Sequence, residues 1–134
     1  MNPYKMFQTD KDLECGKGVT IDYGDFQITV HRAGGANQKY SKVASAKLKP
    51  YARQIQSGVA DPAVINRVMA EIYAEAVIVG WNGVKDENDS PVEFTKENVT
   101  KFLTDLPELF DDIQRQSDML ANFRAEQIEA DAKN

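Results

Sequence analysis

The chain has 134 residues, a length that fits one domain with a core large enough to fold without a disulfide or a metal. Cys15 is the only cysteine, which excludes an intramolecular disulfide and favours a reducing compartment. The net charge of −5 argues against a nucleic-acid partner, and the longest apolar run, residues 76–79, argues against a membrane partner.

The first predicted elements are an irregular arm over residues 1–14 and a β-hairpin over residues 17–32. The arm lacks the apolar segment of a signal peptide. In the hairpin, apolar and polar residues alternate on both sides of Gly24-Asp25, a two-residue turn that begins with glycine, as a type II′ turn requires. This turn places six apolar side chains on one face: Val19, Ile21, Tyr23, Phe26, Ile28 and Val30. An isolated hairpin is marginal in water, so we expect this face to cover helices or to contact another chain.

Residues 36–123 are predicted to form a helical body of about four helices, because apolar residues recur at three- and four-residue steps. The first helix covers residues 36–56, with a kink or a break at Pro50. The second begins at the N-cap Asp61 and continues to about Val79.

A loop over residues 81–91 separates these helices from the last two. The third helix begins at the N-cap Thr95, and the fourth begins at Pro107 and extends towards Phe123. Residues 125–134 lose the pattern and are predicted to be a mobile tail. The expected fold is therefore a single domain, mainly α with an N-terminal β-hairpin (α+β).

The polar residues predict no catalytic or metal site. His31, the only histidine, is expected on the polar face of the hairpin without an orienting partner, and Cys15 has no CxxC companion. Residues 86–97 resemble a calcium-binding EF-hand loop, but Pro91 occupies the position that requires glycine for a sharp turn. We therefore expect no cofactor, no metal and no enzymatic activity.

The apolar residues leave two interpretations open, because helical spacing is typical of a core and aromatic residues are also enriched at interfaces. Trp81, just past the end of a predicted helix, is either a core residue or an anchor for a partner. The residues considered for partner binding are Trp81, Phe94, Phe102, Leu106, Leu109, Phe110, Tyr23 and Phe26.

Charge is distributed unevenly along the chain. Residues 1–60 contain nine Lys/Arg and five Asp/Glu, a balance of +4, whereas residues 61–134 contain seven Lys/Arg and sixteen Asp/Glu, a balance of −9. Two interpretations stay open. The charges form ordinary solvated surfaces, or they steer contacts between copies or with a basic partner.

The order of these features resembles the tail assembly chaperones of long-tailed, siphovirus-like bacteriophages. The matching segments are GKGVTIDYGDFQITVHRAGGANQKY, EAVIVGWNGVKDEND and SPVEFTKENVTKFLTDLPELFDDI, within residues 16–123. Twelve residues occupy positions typical of that family: Gly80, Trp81, Gly83, Val84, Phe94, Thr95, Glu97, Asn98, Leu106, Pro107, Leu109 and Phe110. Ser90-Pro91 departs from the family pattern, in which glycine is frequent in the acidic turn.

The resemblance implies a non-enzymatic chaperone that binds the tape measure protein, keeps it soluble and helps recruit tail tube protein. Such chaperones act in the host cytoplasm and are absent from the mature virion. The family often has a C-terminally extended form made by a programmed frameshift, and this chain would be the short form. We also expect self-association. The alternative is a structural head–tail connector or tail completion protein that is retained in the virion.

Overall fold

The computed structural model describes residues 2–125, which form a mixed α and β fold with a three-stranded antiparallel sheet. The α-helices are α1 (Pro3–Phe7), α2 (Lys11–Cys15), α3 (Gln38–Leu48), α4 (Ala52–Gln56), α5 (Pro62–Ala76), α6 (Lys96–Asp105) and α7 (Pro107–Asp118). Short 3-10 turns cover Lys49–Tyr51 and Leu120–Phe123. The strands are β1 (Val19–Asp22), β2 (Gln27–Val30) and β3 (Ile78–Asn82).

The predicted hairpin is confirmed in part: its two strands pair in the predicted register, but they belong to a three-stranded sheet. Val19 lies opposite Val30 and Ile21 lies opposite Ile28. Ile28 and Val30 are buried, while the alternate residues of β1 are half-buried. The face was expected either to cover helices or to contact another chain. In the structure, the apolar face of the hairpin covers the helices.

Strand β3 corrects the prediction that a helix continues to Val79 and that a loop begins at Trp81. Helix α5 ends at Ala76, and the next three residues, Val77 to Val79, are all β-branched, a type that favours strands. The outer edge of β2 offers unpaired backbone groups to this segment. As a result, β3 pairs antiparallel with β2, and Trp81 lies opposite Ile28.

The helices form a layer in which α5 lies between α3 and α6 and packs against both. Tyr73 of α5 contacts Tyr40 of α3 and Phe110 of α7 edge to face, with ring centroids 6.0 Å and 5.2 Å apart. The main core joins this layer to the sheet through eleven residues: Ile28, Val30, Ala70, Tyr73, Ala74, Val77, Ile78, Val99, Leu103, Phe110 and Ile113.

The segment predicted as an irregular arm contains two short helices instead. The Asn2 side chain caps α1 by accepting from Lys5 N, and the Asp10 side chain caps α2 by accepting from Asp12 N. Helix α2 is fixed to the rest of the chain by Glu14, which is buried and forms an ion pair with Arg32. Local caps that were not considered in the prediction thus gave this segment its structure.

The remaining predicted boundaries agree in part with the structure. The first predicted helix is interrupted at Pro50, and Thr95 caps α6 by accepting from Asn98 N at 3.1 Å. Pro107 begins α7, as predicted. The prediction that this helix extends towards Phe123 is wrong, because α7 ends at Asp118 and a 3-10 turn follows. Residues 126–134 of the predicted mobile tail lie outside the described residues.

Candidate protein-binding site

An apolar groove of about 140 Å³ lies between the sheet and helices α6 and α7. The sheet supplies one wall, α6 supplies the opposite wall, and the start of α7 closes one end. Ten of the eleven lining residues are hydrophobic: Phe26, Ile28, Ile78, Trp81, Val84, Val99, Phe102, Leu103, Leu106 and Leu109, with Lys85 as the eleventh. A cavity of this size and lining favours an apolar group over water.

Trp81 forms much of the sheet wall. Its indole Nε1–H donates to the Val92 carbonyl at 3.1 Å, so the ring is held in one orientation. Phe94 and Phe102 pack edge to face on the indole, with centroid separations of 5.4 Å and 5.6 Å. The residue is half-buried. Trp81 was considered either a core residue or an anchor for a partner. Its position is compatible with both, because it packs within the fold and also lines the groove.

The mouth of the groove exposes large apolar side chains. Leu106 is 46% exposed and Phe94 is 38% exposed. Leu106 lies at the junction of α6 and α7, where its non-helical backbone and Pro107 separate the two helices. This junction leaves the Leu106 side chain at the mouth, so an apolar surface faces solvent beside an apolar cavity.

The hairpin tip is tied to α7 next to the groove. Tyr23 stacks on Phe26 with ring centroids 5.0 Å apart, and its hydroxyl donates to Asp112 Oδ2 at 2.6 Å. Burial, followed by this hydrogen bond, raises the pKa of Tyr23. The same bond is the main cause that lowers the pKa of Asp112, and Arg115 lowers it further. The bond therefore holds the sheet wall and α7 at a fixed separation.

The structure brings most of the predicted partner-binding residues together. Five of the eight line the groove, and Tyr23 and Phe94 pack directly on lining residues. Phe110 is the exception. It is 2% exposed and belongs to the core, because it faces Tyr73 rather than solvent. Phe110 is the fourth residue of a helix that begins at Pro107 and directly follows Leu109, so the sequence gives no means to distinguish the two.

Sequence reasoning missed the floor of the groove. Five hydrophobic lining residues were not among the candidates that the sequence suggested: Ile28, Ile78, Val84, Val99 and Leu103. The spacing of apolar residues along the chain indicates which positions are buried, but not the shape of the space between them. Only the pairing of β3 with β2 brings the two sides of the groove together.

The segment that supplies α6 and the loop before it is rich in acidic residues. Residues 86–112, here called the acidic edge, contain nine Asp/Glu and two Lys, a balance of −7. A second depression shares Phe102 and Leu106 with the groove, and its charged lining consists of three carboxylates and two lysines: Asp86, Glu87, Asp105, Lys85 and Lys101. Lys101 forms an ion pair with Asp105 at 2.5 Å. The depression beside the apolar opening therefore carries charges of both signs.

The EF-hand-like loop uses its first carboxylate to build a turn. Asp86 Oδ1 accepts from the backbone N–H groups of Asn88 and Ser90, at 2.9 Å and 3.0 Å. Within residues 2–125, His, Cys, Asp and Glu side chains do not form a group of three that could hold a metal ion. Helices long and apolar enough to cross a membrane are also absent from this part of the chain.

Comparison with curated proteins gave no match, and comparison with solved structures gave none either. A family described as YdaY prophage protein matches residues 35–134, which is most of the chain and includes α3 to α7 and β3. The hairpin, with Tyr23, Phe26 and Ile28, lies before the matched range. The chain is therefore a phage-derived protein that belongs to the YdaY prophage protein family.

Proposed function

We propose that this protein is a phage tail assembly chaperone that binds the tape measure protein, keeps it soluble and helps recruit tail tube protein. The role is non-enzymatic and belongs to the host cytoplasm. Two independent lines support the proposal: the resemblance in residues 16–123 and the membership of a prophage family. The observation that carries it is the open apolar groove beside the exposed Leu106.

The groove suits one large apolar side chain presented by a partner helix. Its volume of about 140 Å³ is close to that of apolar cavities that take up a benzene-sized group. An amphipathic helix places such an anchor into a groove and covers the surrounding apolar rim with its neighbouring residues. Leu106 and Phe94 offer that rim.

The excess of carboxylates in the acidic edge favours a partner with some positive charge. A helix that carries Lys or Arg beside its apolar anchor would meet Glu87 beside the groove, whereas Asp105 is already paired with Lys101. Such rim charges mainly raise the association rate and leave the interface easy to dissociate. A chaperone that leaves its client before assembly is complete needs reversible binding of this kind.

Co-expression tests the proposal. The tape measure protein of the same phage is produced with this protein, with the Leu106→Asp variant, or alone, and the soluble fraction and co-purification are measured. Val64→Asp is the matched control, because Val64 is 38% exposed in the first turn of α5, outside the groove. Thermal unfolding of both variants verifies that they remain folded.

We expect the wild-type protein and Val64→Asp to keep the tape measure protein soluble, and Leu106→Asp to lose this effect. If the wild-type protein neither solubilises nor co-purifies with the tape measure protein, the proposal is wrong. Mass spectrometry of purified phage particles addresses the alternative role. A stoichiometric amount of this chain in mature particles would favour a connector or completion protein.

A further inference from the structure

Aromatic and aliphatic side chains take different places in the apolar groove. The aromatic lining residues Phe26, Trp81 and Phe102 are half-buried, so their rings reach the opening of the groove. The sheet side supplies two of these rings and α6 supplies the third. Five aliphatic lining residues form the floor and are at most 7% exposed: Ile28, Ile78, Val84, Val99 and Leu103. A side chain that enters the groove therefore passes aromatic rings before it meets the floor.

The two rings of the sheet side are held in place by contacts that do not depend on a ligand. Trp81 is oriented by the hydrogen bond from its indole to the Val92 carbonyl. Phe26 stacks on Tyr23 with an interplanar angle of 21°, and the Tyr23 hydroxyl donates to Asp112 of α7. Because these rings need not be ordered when a ligand binds, the cost of binding is lower. Fixed walls also allow the groove to distinguish ligands by shape.

This lining favours an aromatic ring over an aliphatic chain of the same size. An aliphatic chain gains the burial of its apolar area. A ring gains the same burial and, in addition, the attraction between its positive edge and the negative faces of neighbouring rings. Lys85 is the only charged lining residue, and an ammonium group is attracted to the face of a ring but not to an aliphatic chain. The charge of the lining is therefore also complementary to a ring.

We propose that the groove is selective for an aromatic anchor, a Phe or Tyr side chain presented by a helix of the partner, and that Phe102 determines this selectivity. The inference rests on the proposed function, since it names the class of side chain that the partner inserts. A free aromatic compound is a poorer occupant. It would leave Leu106 and Phe94 exposed at the mouth, whereas a helix covers them.

Two matched small probes test the selectivity with the purified chain. Phenol and cyclohexanol each combine a six-membered ring with one hydroxyl group, so they differ mainly in the aromaticity of the ring. Trp81 is the only tryptophan, and its single indole N–H signal in the nitrogen–proton NMR spectrum reports occupancy of the groove. Titration of this signal gives a Kd for each probe. The proteins compared are the wild type, Phe102→Leu and the control Phe7→Leu, which removes a ring that is 62% exposed and lies outside the groove.

We expect phenol to bind the wild type and Phe7→Leu at least about threefold more tightly than cyclohexanol, the size of effect that aromatic contacts produce. In Phe102→Leu the preference should fall below about twofold, because one aromatic wall is replaced by an aliphatic one. The inference is overturned if phenol gives no saturable change in the indole signal, if cyclohexanol binds as tightly as phenol, or if Phe102→Leu keeps the wild-type preference. A phenol Kd below about 1 μM would also overturn it, because binding that tight would indicate a free aromatic compound as the natural ligand.

Urea unfolding verifies that Phe102→Leu folds, and the comparison of the two probes on the wild type decides the question if this variant does not. The outcome is separable from that of the co-expression experiment. Equal binding of both probes would remove the aromatic selectivity and leave solubilisation of the tape measure protein unaffected. Preference for phenol without solubilisation would instead contradict the proposed function and leave the aromatic site in place.

Discussion

The buried ion pair between Glu14 and Arg32 gives the most quantitative test of the fold. Arg32 Nη1 lies 2.8 Å from Glu14 Oε2, and the side chains are 17% and 2% exposed, respectively. Thr9 Oγ1 donates to the other carboxylate oxygen at 2.8 Å, and the guanidinium lies 5.6 Å from the centroid of the Phe123 ring. The pair thus joins α2 to the segment after β2 and to the described end of the chain.

Removal of either partner should have unequal effects. Arg32→Ala leaves the Glu14 carboxylate buried with Thr9 as its side-chain donor, and breaking a buried pair in this way costs about 3–5 kcal/mol in the free energy of unfolding. Glu14→Ala should cost about 2 kcal/mol, because Arg32 is more exposed, can extend towards water and keeps its contact with Phe123.

Urea unfolding followed by circular dichroism measures both variants and the double variant, with equal m-values as the test of a comparable native state. The double variant should lose less than the sum of the single losses, since neither charge is then left unpaired. The reasoning is refuted if Glu14→Ala costs as much as Arg32→Ala, or if both costs are below about 1 kcal/mol.

Three further predictions concern substitutions of single residues. Tyr23→Phe should lower the free energy of unfolding by about 1 kcal/mol at pH 7. Because the pKa of Asp112 is lowered in the folded state, this difference should shrink as the pH falls below the ordinary aspartate value of 3.8, and a pH-independent difference would contradict it. Gly35→Ala should cost about 1–3 kcal/mol more than Gly58→Ala in urea unfolding. Both glycines have positive φ, but only at Gly35 would the new methyl group overlap a buried carboxylate, so equal costs would argue against this clash. Phe110→Ala should lower the free energy of unfolding, measured by thermal or urea unfolding, by about 3–5 kcal/mol, because the side chain is buried. A loss below about 1 kcal/mol would contradict its assignment to the core.

The parts of the fold that could be predicted from the sequence are those set by local signals. The turn at Gly24-Asp25 fixes the hairpin register, because the turn length decides which residues lie opposite each other. Asp61, Thr95 and Pro107 mark helix starts through caps and through the geometry of proline at the first helical position. These signals act within a few residues and need no tertiary contact.

The parts that could not be predicted depend on distant pairing. The sequence pattern assigned Val79 to the end of a helix and Trp81 to a loop, and only the free edge of β2, about fifty residues earlier, makes this segment a strand. The groove has the same origin, since β3 brings Trp81 opposite Phe102. The position of Phe110 in the core likewise depends on Tyr73, which belongs to another helix. Periodicity identifies apolar faces but not the neighbours that cover them.

The open groove sets a scale for the affinity of a partner. In protein cores, an unfilled apolar volume costs roughly 24 cal/mol per Å³, so a groove of about 140 Å³ corresponds to at most about 3 kcal/mol. A partner side chain that fills it would recover up to this amount, a factor of about 150 in affinity. This gain suffices to favour a helix with a matching anchor over one without it, and it is small compared with the free energy of a permanent interface. A chaperone for a helical client requires both properties, whereas a permanent structural component would gain from a larger buried interface.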